Sequence, residues 1–317
     1  MMQIENRVKK IATPAIPLVI ALVLPIIVTG RYYTTILVMT LIYIVVVFGL
    51  NFITGMTGQM HLGTAGVFCL GAYTSALITT RLPVNPWIAL IASIIVGYLI
   101  GKGLGYPSLR VKGIYLSLTT IAFNEIVRQL INNVKFTGGV QGVRMIPTFS
   151  IFGHELSSTV SYYYFLVAIV VVFALISWKI INSKWGRAFV AVRDNPDAME
   201  ACGIDVADIK VKAFTLASIY GSVGGSLYAH FVGYINPVTF TVDLSVTFVI
   251  MLIVGGTGKL WGGIIGACVV TMLPEALRFL GEYYQLGYSI IVLLCVVLMP
   301  GGLISIYRKK TAIKGGA

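Results

Sequence analysis

Chemistry would start from histidine, cysteine and carboxylate side chains. This chain of 317 residues holds three histidines, four cysteines and eleven carboxylates. His61, His154 and His230 lie far apart in sequence. No H-E-x-x-H pair places two imidazoles on one helix face for a metal, and no G-x-S-x-G elbow presents a nucleophile. Cys69, Cys202, Cys268 and Cys295 form no C-x-x-C pair, and three of them sit in apolar surroundings. They predict packing rather than a metal site or a disulfide frame. No G-x-x-x-x-G-K-[ST] loop is present to cradle a nucleotide. Gly101-Lys102-Gly103-Leu104-Gly105 ends an apolar run and does not open a dinucleotide fold. The expectation is a chain that is not an enzyme and binds no metal or cofactor of its own.

One carboxylate stands apart. Glu125 falls about 18 Å beyond Lys112 along a helix, which brings it towards mid-depth of a membrane span. Ionisable groups at that depth are the usual equipment of an ion-coupled carrier, and His61 and His230 are the other candidates. Arg128 lies three residues on, however, so the two side chains also suit a simple ion pair on one helix face.

These groups sit among long apolar elements. The chain is 57% hydrophobic, and only 34 of its side chains carry charge (23 basic plus 11 acidic). Residues 11–30, 32–80, 82–101, 156–178, 213–242 and 283–307 contain no Asp, Glu, Lys or Arg. About 20 apolar residues cross a bilayer as a helix. The runs do not alternate as barrel strands do. The fold class is therefore an all-α polytopic membrane protein with about 8–10 transmembrane helices. Spans are expected near 11–29, 32–53, 64–80, 87–104, 114–133, 161–181, 213–233 and 286–305. Two short runs, 244–258 and 260–274, read as two spans or one re-entrant hairpin. The basic start (Arg7, Lys9, Lys10) before the first span resembles a signal sequence, but the run has full span length, so it is read as retained. The net charge of +12 gathers at span ends. That follows the positive-inside rule, with both termini cytoplasmic, and implies no nucleic acid.

The one long polar interruption is Ser183 to Lys212, expected on the cytoplasmic side. It contains Asn195 as a helix N-cap, Pro196 at the first helical position and Gly203 past the end, which predicts a short helix over 196–202. Two glycine-rich turns also resemble each other. Thr57-Gly58-Gln59-Met60-His61-Leu62-Gly63 parallels Thr257-Gly258-Lys259-Leu260-Trp261-Gly262-Gly263. Paired glycine interruptions point to a transport pathway or to close helix packing. They make Gly58, Gln59, His61, Gly63, Gly255 and Gly256, with Glu125, the candidate pathway residues. A many-span chain without a catalytic motif reads as a transporter, driven by an ion or by a partner seated on the short helix.

The run WGRAFVAVRD (185–194), with Ala198, Glu200-Ala201 and Gly203-Ile204 after it, closely resembles the cytoplasmic loop of ABC-importer permeases. The subfamily it looks like is the branched-chain amino-acid permease of the LivM type. GQMHLGTAGVFCLGAY (58–73), PSLRVKGIYLSLTTIAFNEIVR (107–128), TGGVQG (137–142), YAHFVGYINPVTF (228–240), GGTGKLWGGIIGA (255–267) and PGGL (300–303) agree. The resemblance implies one permease domain over 1–317 with the ABC importer permease fold, in the bacterial inner membrane, for leucine, isoleucine and valine. It implies a second related permease, two ATPase subunits that bind the ATP, and an extracytoplasmic amino-acid-binding protein, in a setting of membrane lipid. Residues 193–203 would form the coupling helix, with Arg193, Asp194, Glu200, Ala201 and Gly203 carried over to it. His61, Thr64, Ser117 and Met199 depart from the usual pattern. Urea, amides or other amino acids therefore stay open as substrates, and an ion-coupled secondary transporter stays open as the other class.

Overall fold

The computed structural model describes residues 21–25, 30–82, 84–109, 111, 113–151, 154–156, 158–299 and 301–305. The expected first span, 11–29, lies outside these except for 21–25, which are helical. The basic tail at 308–314 also lies outside them. On each of the other expected spans the structure places a helix. They are α1 (Arg31–Leu50), α2 (Thr64–Arg81), α3 (Pro86–Ser108), α4 (Ile114–Asn133) and α5 (Thr159–Ile181). Then come α8 (Val206–Val232), α9 (Val242–Gly255), α10 (Leu260–Ala276) and α11 (Tyr284–Leu298). Between α5 and α8 lie α6 (Lys184–Asp194) and α7 (Pro196–Ala201). Among the described residues the only ladder is one hairpin of two-residue strands, β1 (Ser150–Ile151) and β2 (His154–Glu155).

Among the described residues, five helices are long and apolar enough to cross a membrane: Arg31–Met56, Pro86–Ser108, Thr159–Ile181, Pro237–Gly255 and Arg278–Leu298. In the 244–274 region, α9 and α10 are separate helices that pack on each other. The approach is backbone to backbone, since a Cβ at Gly266 would fall 1.7 Å from the Met251 carbonyl oxygen.

The middle of the molecule is α8, an unbroken rod with α1, α2 and α3 around it. Small residues set the spacing, as expected where lipid removes the hydrophobic drive between helices. On α3, Ser93, Gly97, Gly101 and Gly105 recur every fourth residue and form one buried stripe. A Cβ at Gly101 would lie 2.5 Å from the Thr215 Cα, so α3 and α8 touch through their main chains. The Ser222 hydroxyl donates to the Ser93 carbonyl at 2.7 Å and fixes the register. His230, near the end of α8, is also structural. Its ring bonds the Ser75 hydroxyl at 2.7 Å and the Pro147 carbonyl at 2.6 Å.

The two ends of α8 differ. Its start joins α6 and α7. Past its end, Val143 and Ile235 form an antiparallel bridge, and the Ile146 amide donates to the Gly233 carbonyl at 3.1 Å. The segment 134–149 is thus clasped to the end of the molecule opposite α7.

The 193–203 segment differs from what the resemblance implies in one respect. Residues 193–203 are not one helix. Asn195 takes extended angles (φ −156°, ψ 94°) and separates α6 from α7. Arg193 and Asp194 therefore close α6, while Glu200 and Ala201 belong to α7. The break follows from capping, because an N-cap residue must leave helical geometry to turn its side chain back. The Asn195 Oδ1 accepts from the Ala198 amide at 3.0 Å. At the far end the Gly203 amide donates to the Glu200 carbonyl (2.9 Å) and the Ile204 amide to the Met199 carbonyl (3.1 Å). Gly203 has φ +76°. These are the two bonds of a Schellman stop, for which glycine is the favoured residue.

Candidate functional site

α6 is an amphipathic helix held by its own cap. The Ser183 hydroxyl accepts from the Trp185 amide at 3.1 Å. Gly186, Phe189 and Val192, one turn apart, are its buried residues, and Phe189 meets Phe52 with ring centroids 6.4 Å apart. Phe52 belongs to the π-helical turn Asn51–Met56 that widens the end of α1. Such turns are rare and recur at functional positions.

Burying that face of α6 brings Arg193 onto both glycine turns. Its Nη1 donates to the Gly55 carbonyl at 3.2 Å. Its aliphatic stem covers Gly58, where an added Cβ would sit 2.8 Å from the Arg193 Cγ. The second turn also meets the π-helical end of α1, since the Gly258 amide donates to the Asn51 Oδ1 at 2.8 Å. Gly58 and Gly258, equivalent in the two repeats, both take left-handed backbone (φ +71° and +77°). Beyond these glycines the turns diverge. The first continues for five residues before α2 begins, and the second enters α10 almost at once. A third glycine segment closes the junction, because a Cβ at Gly302 would lie 2.4 Å from the Gly256 main chain.

α7 stands clear of this junction. Asp197, Ala198, Glu200, Ala201, Cys202 and Gly203 are exposed, and Met199 alone packs partly against the core. It is a capped, rigid, protruding element whose preceding helix is anchored to both glycine turns. That arrangement suits mechanical contact with a partner better than binding of a small ligand.

A family model described as the branched-chain amino acid transport system / permease component matches residues 32–299. The chain is 31% identical to the high-affinity branched-chain amino acid transport system permease protein LivM of Salmonella typhimurium, over 94% of this chain and 76% of that protein. The LivM protein of Escherichia coli is likewise 31% identical, over 95% and 76%. The chain belongs to this permease family. The permease is also 24% identical to the fructose import permease protein FrcC of Rhizobium meliloti, over 90% of this chain and 83% of that protein. No solved structure matches it. With the helices described above, it is an all-α polytopic membrane permease.

The candidate pathway residues of the permease fall into separate places. Gly58 lies under Arg193, while Gly255 packs on Gly262 and Gly266 and Gly256 on Gly301 and Ile304. Gln59, His61 and Gly63 lie where the first turn crosses α4. There the Leu62 amide donates to the Thr120 hydroxyl at 3.0 Å, and a Cβ at Gly63 would fall 2.8 Å from the Thr120 carbonyl oxygen. His61 is buried edge-on against Phe214 at 5.3 Å, and its Nδ1 has no partner among the described residues. Burial holds this imidazole down to about 4, so it is neutral at physiological pH. Glu125 belongs to none of these. It lies on the open face of α4, paired with Arg128, whose Nε donates to its Oε2 at 3.0 Å.

Asn51 and Asn124 escaped the sequence reading. Asn51 is the lone amide of the charge-free stretch 32–58, and that isolation was the available signal, whereas Asn124 sits beside Glu125 and had none. Asn51 ties the π-helical end of α1 to the second turn. Asn124 is fully buried beside Gly66, with neither amide atom partnered among the described residues.

Proposed function

We propose that this chain is the membrane permease subunit of an ATP-driven importer for leucine, isoleucine and valine, working in the bacterial inner membrane with both termini cytoplasmic. The observation that carries the reading is α7. A six-residue helix capped at both ends and almost wholly exposed is shaped to seat in a groove on another subunit. Arg193, Asp194, Glu200, Ala201 and Gly203 then form the coupling segment within 183–212. Two ATPase subunits would bind and hydrolyse ATP and push on α7. A second related permease would complete the pathway, and an extracytoplasmic amino-acid-binding protein would deliver the solute. The likeness to the LivM proteins supports the substrate class.

An ion-coupled carrier acting alone fits less well. Its proton site would be Glu125, and that carboxylate is already engaged by Arg128 and Gln129.

Cys202 supplies the test, being the one exposed cysteine of the four. A membrane-impermeant maleimide is expected to label it in inside-out vesicles and not in intact cells, and bound ATPase subunits are expected to slow that labelling. Labelling from the outside of intact cells refutes the orientation. Accumulation of leucine by this chain alone on a pH gradient, without ATP, refutes the importer.

A further inference from the structure

α4 has the length to span a bilayer, about 30 Å over 20 residues, yet, like α2 and α8, it is not among the helices apolar enough to do so on composition. Its buried face is polar where it meets the first glycine turn, through Ser117, Thr120 and Asn124. Its open face carries Glu125, Gln129 and Asn133 between Ile126, Leu130 and Val134, and these six line a shallow groove of about 350 Å³. The Glu125 and Arg128 side chains are 41% and 28% exposed. A charged pair within a membrane span is costly against lipid and is expected to face protein or water. The pair lies in the half of α4 nearer the 134–149 clasp, the end away from α7. Glu125 is eight residues from the helix end, about 12 Å.

The chemistry of this face matches one kind of molecule. Glu125 and Arg128 set a carboxylate and a guanidinium one turn apart, and their mutual bonds use only two of the five N–H donors of Arg128. Gln129 also donates to Oε1, so one lone-pair position on Oε2 stays open to an incoming ammonium. An ammonium and a carboxylate carried on one carbon can lie antiparallel to this pair, each charge against its opposite. Ile126, Leu130 and Val134 then offer an apolar strip to an aliphatic side chain. A fructose or urea molecule has no such pair of charges.

Resting on the importer reading above, we propose that the open face of α4 is a transit site for zwitterionic amino acids, with Glu125 receiving the α-ammonium and Arg128 the α-carboxylate. Nothing is transferred or cleaved there. The site holds the solute by charge and apolar contact as it moves inward.

The test is leucine uptake by cells carrying the complete importer, with membrane insertion checked by immunoblot. The parent is measured first, and a parent that fails to import leucine overturns the importer reading and this site with it. If the parent imports leucine, the uncharged pair Glu125→Gln/Arg128→Gln is expected to lower uptake about tenfold, as loss of charged hydrogen bonds predicts. The swapped pair Glu125→Arg/Arg128→Glu is also expected to stay low, because it keeps the ion pair but reverses its direction. Parental uptake by either variant overturns the site. Rescue by the swap alone makes the pair a contact within the helix or with the second permease. A third measurement leaves both charges in place. In Ile126→Cys, leucine is expected to slow maleimide labelling, whereas 4-methylpentanoate and 3-methylbutylamine, each with one charge, are not. No protection by leucine, or equal protection by all three, also overturns the site.

Discussion

Gly58 and Gly258 occupy equivalent positions, have nearly the same φ and differ in what lies over them, so paired substitutions separate two effects. Alanine at either position must adopt left-handed backbone, at a cost of about 1–2 kcal/mol. At Gly258 that is the whole penalty, because a Cβ there would meet nothing nearer than the Gly55 carbonyl oxygen at 3.5 Å. At Gly58 the Cβ would sit 2.8 Å from the Arg193 Cγ, and the Arg193 stem must move. Moving it strains the bond from Nη1 to the Gly55 carbonyl. That bond is worth about 1 kcal/mol or somewhat less, since the Arg193 side chain is 40% exposed and solvent screens it. Gly58→Ala should therefore lose up to about 1 kcal/mol more stability in detergent than Gly258→Ala, measured by thermal unfolding. Gly58→Ala alone should detach α6 from the turns. The assay is ATP-driven uptake per ATP hydrolysed in vesicles carrying the assembled importer. Gly258→Ala should keep that ratio, and Gly58→Ala should lower it about fivefold, the factor that 1 kcal/mol represents. Equal ratios in the two variants, at equal expression, would refute Arg193 as the link between the coupling segment and the glycine turns.

Other substitutions test other links. Asn195→Ala removes the cap of α7 at about 1 kcal/mol, so the amide of Ala198 should exchange faster while global unfolding stays put; unchanged exchange would show that the cap does not hold the helix. Gly101→Ala forces a Cβ to within 2.5 Å of the Thr215 Cα and should impair folding, whereas Gly103→Ala, with nothing within 4 Å, should be neutral or stabilising. Equal membrane yields of the two would contradict the close α3–α8 approach. His61 has its pKa lowered from 6.5 to about 4, so its stabilisation is complete above 6.5 and is lost as pH falls towards 4. Linkage gives about 2 kcal/mol between pH 7.5 and 5. His61→Gln should unfold with a shallower pH dependence over that window, and parallel curves would count against a buried neutral imidazole.

Most of the span pattern could be read from charge-free runs, because lipid imposes one rule on every crossing helix; α4, with Glu125 and Arg128 inside it, is the exception. The ends of α7 were also legible, since Asn195, Pro196 and Gly203 are local signals of capping and need no tertiary contact. The separate helix α6 was not, because its buried Gly186, Phe189 and Val192 count as an apolar face only once Phe52 is opposite them. The two turns looked alike in sequence, but the contact of the second with the π-helical end of α1 joins Asn51 to Gly258 across more than two hundred residues, beyond the reach of any local signal. Glu125 and Asn124, adjacent in the chain, lie on different faces of α4, about 100° apart. Treating Glu125 as a companion of the glycine turns therefore grouped residues that the fold keeps apart.

α8 runs from the coupling segment to the Val143–Ile235 clasp with no proline and no break in its 27 residues. A beam of that kind has no joint at which displacement can be absorbed, and the stripe of small residues on α3 gives it a fulcrum. Tipping its inner end one way swings its outer end the other way. A single push on the α7 end would then tend to move the clasped end in the opposite sense, with no separate signal passed between them.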